Sequence, residues 1–142
     1  MTTTMNIVAR AAGAGSVALL LAVAVPGTAQ AAGDPQYAGC TTTGASALMR
    51  ITSITNDGPA SKYAVHFEIS DTVADGHHAS VRLLTKDGTG TLHRWPWHSN
   101  TSGTGTITVN TTAQDDRGIF ASGVEVARAE GSTVLNSCTD WT

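Results

Sequence analysis

Between Tyr63 and Ser70 the chain alternates strictly: Tyr63, Val65, Phe67 and Ile69 are apolar, whereas Ala64, His66, Glu68 and Ser70 are small or polar. That period of two predicts a strand with one face on a core and the other in water. The same period recurs at Ile107 and Val109, and at Val124 and Val126 around Glu125. Threonine is abundant throughout, which suits half-buried pleated surfaces. Turn chemistry separates the runs at Asn56-Asp57-Gly58-Pro59, Asp75-Gly76, Asp87-Gly88, Asp116-Arg117-Gly118 and Glu130-Gly131. Asp and Asn bond their own backbone and Gly supplies positive φ, so each cluster predicts a tight reversal. The predicted strands are 46–55, 62–71, 79–86, 91–98, 105–113, 119–129 and 132–138, with an eighth near Cys40. Seven or eight short strands with almost no helical periodicity predict an all-β fold, a single antiparallel β-sandwich of immunoglobulin-like proportions.

Two of these strands do not keep phase. Ala47, Met49 and Ile51 are odd-numbered but Ile54 is even, and Leu92 and Trp95 slip in the same way. A β-bulge is the usual remedy for such a slip. Residues 99–105, SNTSGTG, are polar and Gly-rich and predict an exposed loop.

The first 31 residues have a different character. Arg10 is followed by fifteen uncharged residues rich in Ala, Val and Leu, then Pro26-Gly27, then Ala29 and Ala31 in an A-x-A arrangement. This is the pattern of a secretory signal peptide cut after Ala31, and the apolar run falls short of the roughly 20 residues needed to span a bilayer. The domain expected to fold is thus 32–142. Tyr37-Ala38-Gly39-Cys40 has the look of a lipoprotein box, but Pro26, Gln30, Asp34, Pro35 and Gln36 separate it from the apolar run, so lipidation of Cys40 is not expected.

Without the leader, seven Lys and Arg (eight less Arg10) face eleven Asp and Glu, a net charge of −4. No basic stripe or tail is present, which argues against nucleic acid as a partner and against an anionic membrane surface for the mature protein. The two cysteines, Cys40 and Cys138, stand near opposite ends of the mature chain. In an exported protein such an isolated pair predicts one disulfide joining the chain ends. Closing a loop of about 100 residues contributes roughly 4.7 kcal/mol in the chain-entropy account.

Candidate chemistry is sparse. His77 and His78, with Asp71 and Asp75 nearby, offer metal-ligand types, but adjacent residues on an extended chain point apart, and a solvated polar loop is expected instead. His66 and His93 are placed on outer strand faces. The chain has no G-x-S-x-G elbow, no H-E-x-x-H and no glycine-rich phosphate loop. Glu68, Glu125 and several Asp are available for a glycosidase pair, yet nothing in the spacing sets two across a cleft. No catalytic residue, cofactor or metal is therefore expected. Asn100-Thr101-Ser102 and Asn110-Thr111-Thr112 match the glycosylation pattern, but the alanine-rich leader is of bacterial type and ordinary loop and strand asparagines are expected.

The stretch HRWPWHS is the most suggestive. Trp95 and Trp97 are two apart, so on a regular strand they share a face about 6.6 Å apart, while Pro96 cannot donate to a ladder and marks an edge, a bulge or a strand end. Two indoles on an edge could stack on sugar rings. Against that, a chain with seven aromatic residues has few to spare from its core, and Trp95 in particular is expected to be buried.

The runs WPWHSNTSG, TTAQDDRGIF, VEVARAEGS and NSC resemble a group of small secreted β-rich proteins of actinobacteria. The resemblance covers most of the mature chain, implies export, and carries no function or site with it. Small exported β proteins of such bacteria include enzyme inhibitors. The expected role is non-enzymatic binding of an extracellular protein or a cell-surface or polysaccharide component. An inhibitor of extracellular hydrolases is the alternative, although the disulfide lies far in sequence from loops 72–79 and 99–105. A polysaccharide-binding module using Trp95 and Trp97 is the other.

The intact mass of the exported protein is expected to equal residues 32–142 less two hydrogens. An acyl-sized increment at Cys40 would show that the lipoprotein box is used.

Overall fold

The alternation around Phe67 is realised as a central strand: Val65, Phe67 and Ile69 are at most 1% exposed, while Glu68 on the other face is open to water. The computed structural model describes residues 33–55 and 58–142. The predicted leader and the Asn56-Asp57 part of the first turn lie outside the described residues. The described residues form nine strands: β1 (Gln36–Thr42), β2 (Ala45–Ser53), β3 (Lys62–Asp71), β4 (His78–Lys86), β5 (Leu92–Arg94), β6 (His98–Asn100), β7 (Gly105–Gln114), β8 (Ala121–Glu130) and β9 (Thr133–Trp141). One sheet has the order β1-β2-β3-β7 and the other β5-β4-β8-β9, with β6 also on β4; every pairing is antiparallel. The fold is an all-β sandwich.

Its core is the layer between the sheets. Met49, Ile51, Val65, Phe67 and Ile69 enter from the first, and Val81, Leu83, Val124 and Val126 from the second. Apolar side chains fill this layer because strands of period two can bury one face only by packing it on another sheet. Cys40 on β1 and Cys138 on β9 are bonded, 98 residues apart in sequence, and tie the first sheet to the second. Both half-buried cysteines pack against the core.

The count is nine because the expected strand near Cys40 is β1 and because the predicted strand 91–98 divides into β5 and β6. No bulge rescues Ile54. The register of β2 with β1 and β3 runs unbroken, and Ile54 falls beyond the strand, half-exposed. The predicted loop 99–105 is also shorter than expected. Ser99 and Asn100 belong to β6, and Asn100 is buried because its side chain donates to Gly105 O and accepts from the Ser102 amide. In the Asp87 turn the left-handed glycine is Gly90, not Gly88.

Phe67→Ala is expected to destabilise by about 3–5 kcal/mol, because it opens a cavity that rigid strands cannot close. His66→Ala, on the outer face, is expected to be nearly neutral, since it removes only solvent-accessible contacts with Asn110 and Glu68. Urea midpoints of the two variants test this, and equal shifts would contradict the placement of β3.

Candidate binding surface

The WPW segment is shaped by one extra residue. Leu84 pairs with Arg94 and Val81 pairs with His98, so Arg82 and Leu83 of β4 face three residues, Trp95, Pro96 and Trp97. Trp95 still donates its amide to Leu83 O at 3.0 Å, and Pro96, with no amide proton, is the residue left over. A bulge of this kind reverses the facing of everything after it. Trp95 turns inward beside Leu83, packs on the core, and donates Nε1 to Thr85 Oγ1 at 3.0 Å. Trp97 turns outward beside Arg82, whose guanidinium stands 4.3 Å over its ring. The expectation that the two indoles share a face is thus corrected, because the prediction assumed an unbroken strand. His98 follows on the inner side, its ring 5.6 Å from that of Phe67.

The outer face of the β4–β8 sheet is occupied by its own side chains. Arg82 Nε and Nη2 both donate to Glu125 Oε2, at 2.8 and 2.6 Å. Trp141 lies flat against Gly123, where a Cβ would stand 2.8 Å from its ring, and Lys86 Nζ is 4.7 Å from the ring centroid. Cations therefore sit over both outward indoles. Trp95 and Trp97 provide no joint stacking platform.

A different set of residues converges at the end of the sandwich where β4 leaves and β8 begins. Asp87 is buried, and its Oδ1 accepts from the Thr89 amide, the Thr89 hydroxyl and the Thr91 amide. The bonds from the Thr89 hydroxyl and the Thr91 amide, more than Arg117 at 3.9 Å, hold its carboxyl below the usual carboxylate range. This fixes the β4–β5 hairpin. The neighbouring loop 115–120 is held as firmly: the Arg117 amide donates to Asp115 Oδ1, Gly118 N to Asp115 O, and Phe120 N to Lys86 O, all at 2.9 Å.

Two large side chains are left in water by this arrangement. Arg117 is 77% exposed and Phe120 is 70% exposed. Phe120 shares the even numbering of Val124 and Val126, so the predicted strand 119–129 turns it inward. In the structure β8 begins only at Ala121, and the ring rests instead on two glycines, where a Cβ at Gly118 or Gly88 would come within 2.7 or 3.1 Å of it. A groove of about 430 Å³ lies on one side of the loop, lined by Trp95, His93 and Arg117 together with Asp87, Asp115 and Asp116. On the other side a groove of about 330 Å³ is lined by Ile51, Tyr63, Ile119 and Phe120. The only sequence signal for this site was an aromatic residue directly after a turn, which strand periodicity assigns to the core.

The other candidates are separated. His93 does not lie on the outer face as expected; it shares the Trp95 side, with ring centroids 4.9 Å apart. Glu68 stands on the outer face of one sheet and Glu125, locked to Arg82, on the outer face of the other, so they do not flank a common cleft. Asp75 binds Arg128 and accepts the His77 amide, and Asp71 accepts the Val73 amide. Among the described residues no three His, Cys, Asp or Glu side chains are grouped so as to hold a metal ion. Nor is any helix among them long and apolar enough to cross a membrane. No protein-family model matches the chain, and no curated protein matches it at a significant level.

Because the Asp87 carboxyl titrates below its unfolded value, the stability it contributes is complete above the unfolded value and is lost as pH falls through the folded one. Asp87→Asn is therefore expected to flatten the fall in melting temperature between about pH 6 and about pH 2. An equal fall in both proteins would remove Asp87 from the account of this hairpin.

Proposed function

We propose that the protein is an exported, non-enzymatic binding protein whose contact surface is the sandwich end bearing Arg117 and Phe120. One observation carries the reading: a large aromatic ring and a guanidinium are held in water on a loop fixed at both ends, between two grooves. Burying an exposed phenylalanine is favourable by about 1.5–3 kcal/mol, so a rigid loop that keeps one out of the core retains that gain for a partner. Arg and aromatic side chains on pre-ordered backbone are typical anchors of protein interfaces. The chemistry implies an extracellular protein with an apolar pocket for Phe120 and a carboxylate for Arg117. Export is supported by the leader pattern and by the Cys40–Cys138 bond, which suits an oxidising compartment.

The inhibitor reading is a special case of the same surface. Its weakness was that no disulfide braces the loops 72–79 and 99–105, but loop 115–120 is braced by hydrogen bonds instead. The polysaccharide reading has less support, since Trp95 and Trp97 face opposite ways and Arg82 lies over Trp97.

The test is capture from the medium of the producing culture, with the bound protein identified by mass spectrometry. A partner held by the wild type is expected to be lost with Phe120→Ser and weakened at least tenfold by Arg117→Glu. Slowing of a secreted hydrolase by the wild type, abolished by the same changes, would identify the partner as an enzyme. Binding that survives both substitutions would overturn the reading, as would retardation by soluble glycans that Trp97→Ala alone removes.

A further inference from the structure

A sheet edge is a row of unpaired backbone groups that can pair with another chain, and folded proteins usually blunt it with charge, proline, a bulge or a cover. Among the described residues, three of the four sheet edges are treated in that way. β1 and β9 cover one another: their cysteines are bonded, Gly39 donates its amide to Asp140 Oδ2 at 3.0 Å, and Thr42 donates to Asn136 Oδ1 at 2.9 Å. β9 also carries a register shift opposite Arg128 and Ala129. The β5 and β6 edge is cut into two three-residue pieces by the bulge at Pro96. β7 has none of these devices. It is ten residues long, keeps an unbroken register with β3, and contains no charged residue and no proline.

The core also thins towards β7. Phe67 and Ile69 on β3 are fully buried, yet their β7 partners Val109 and Ile107 are only half-buried. A further strand would cover them. We infer that β7 pairs with β7 of a second copy of this chain, antiparallel about a two-fold axis at Val109, joining two four-stranded sheets into one of eight. Neutrality points to a second copy: in an isologous contact each residue meets its own kind near the axis, and any charge there would face itself. Centred on Val109, the register sets Val109 on Val109, Ile107 on Thr111, Thr108 on Asn110 and Thr106 on Thr112. These are β-branched and small polar pairs of the sort that stabilise antiparallel ladders. The Phe120 end begins where β7 stops, at Gln114, outside the paired residues 106–112, so a dimer would present two copies of it, and the inference does not depend on the proposed function.

Sedimentation of the mature protein from low micromolar to millimolar concentration tests this. The wild type is expected to double in mass, and Thr108→Lys with Thr112→Lys, both at exposed positions, to remain monomeric with an unchanged near-ultraviolet spectrum. Thr133→Lys on the exposed β9 is expected to dimerise like the wild type. A wild type that stays monomeric throughout, or a double variant that dimerises as well as the wild type, would overturn the proposal. If the double variant does not fold, hydrogen exchange on the wild type decides. Slowing of β7 amides on concentration supports the pairing, and exchange independent of concentration rejects it.

Discussion

A single apolar layer holds this fold together, and it is lean. Phe67 is its largest fully buried side chain, and much of the rest is Val, Ile and Ala, including Ala45, Ala47, Ala79 and Ala113. Such a layer gains its energy from close fit rather than from bulk, and it demands that every contributing strand keep register. Where the layer ends, other devices take over. The cysteine bond secures the margin at β1 and β9, and the Trp95 indole closes part of the opposite margin with its nitrogen satisfied by Thr85. The outer faces hold together through local polar pairs such as Arg82 with Glu125 and His66 with Asn110.

What could be read from the sequence was whatever that layer dictates. Strands buried on one face must alternate, so β3 was legible to the residue and the sandwich followed from the number of such runs and the turns between them. The disulfide was legible because two cysteines leave no choice of partner. Three of the misreadings share one cause, which is that parity along the chain reports facing only while regular pairing lasts. Ile54 broke parity because β2 had already ended, not because of a bulge. Trp97 broke it because Pro96 was inserted. Phe120 kept the parity of Val124 and Val126 but lies before β8 begins. A site built from residues at strand ends is therefore hidden from a reading based on alternation.

The placement of these irregularities gives the molecule its asymmetry. The bulge at Pro96 interrupts one long edge, and β7, on the same side of the sandwich, is left continuous. Loops 87–91 and 115–120 stiffen one end through Asp87 and Asp115, whose carboxylates accept backbone amides rather than stand free. Rigidity at that end costs core material, since Phe120 contributes nothing to the layer between the sheets.

The three indoles have consequences for optical work on this protein. Trp95 reports from the lining of the groove at the Phe120 end, with its nitrogen bonded to a hydroxyl. Trp97 and Trp141 each emit beneath a positive charge on the far side of the same sheet. Excitation of indole thus samples one chromophore that lines the groove and two on the opposite face of the sheet. With Trp97 and Trp141 exchanged for phenylalanine, the remaining emission becomes a local gauge of what enters that groove, with no external label.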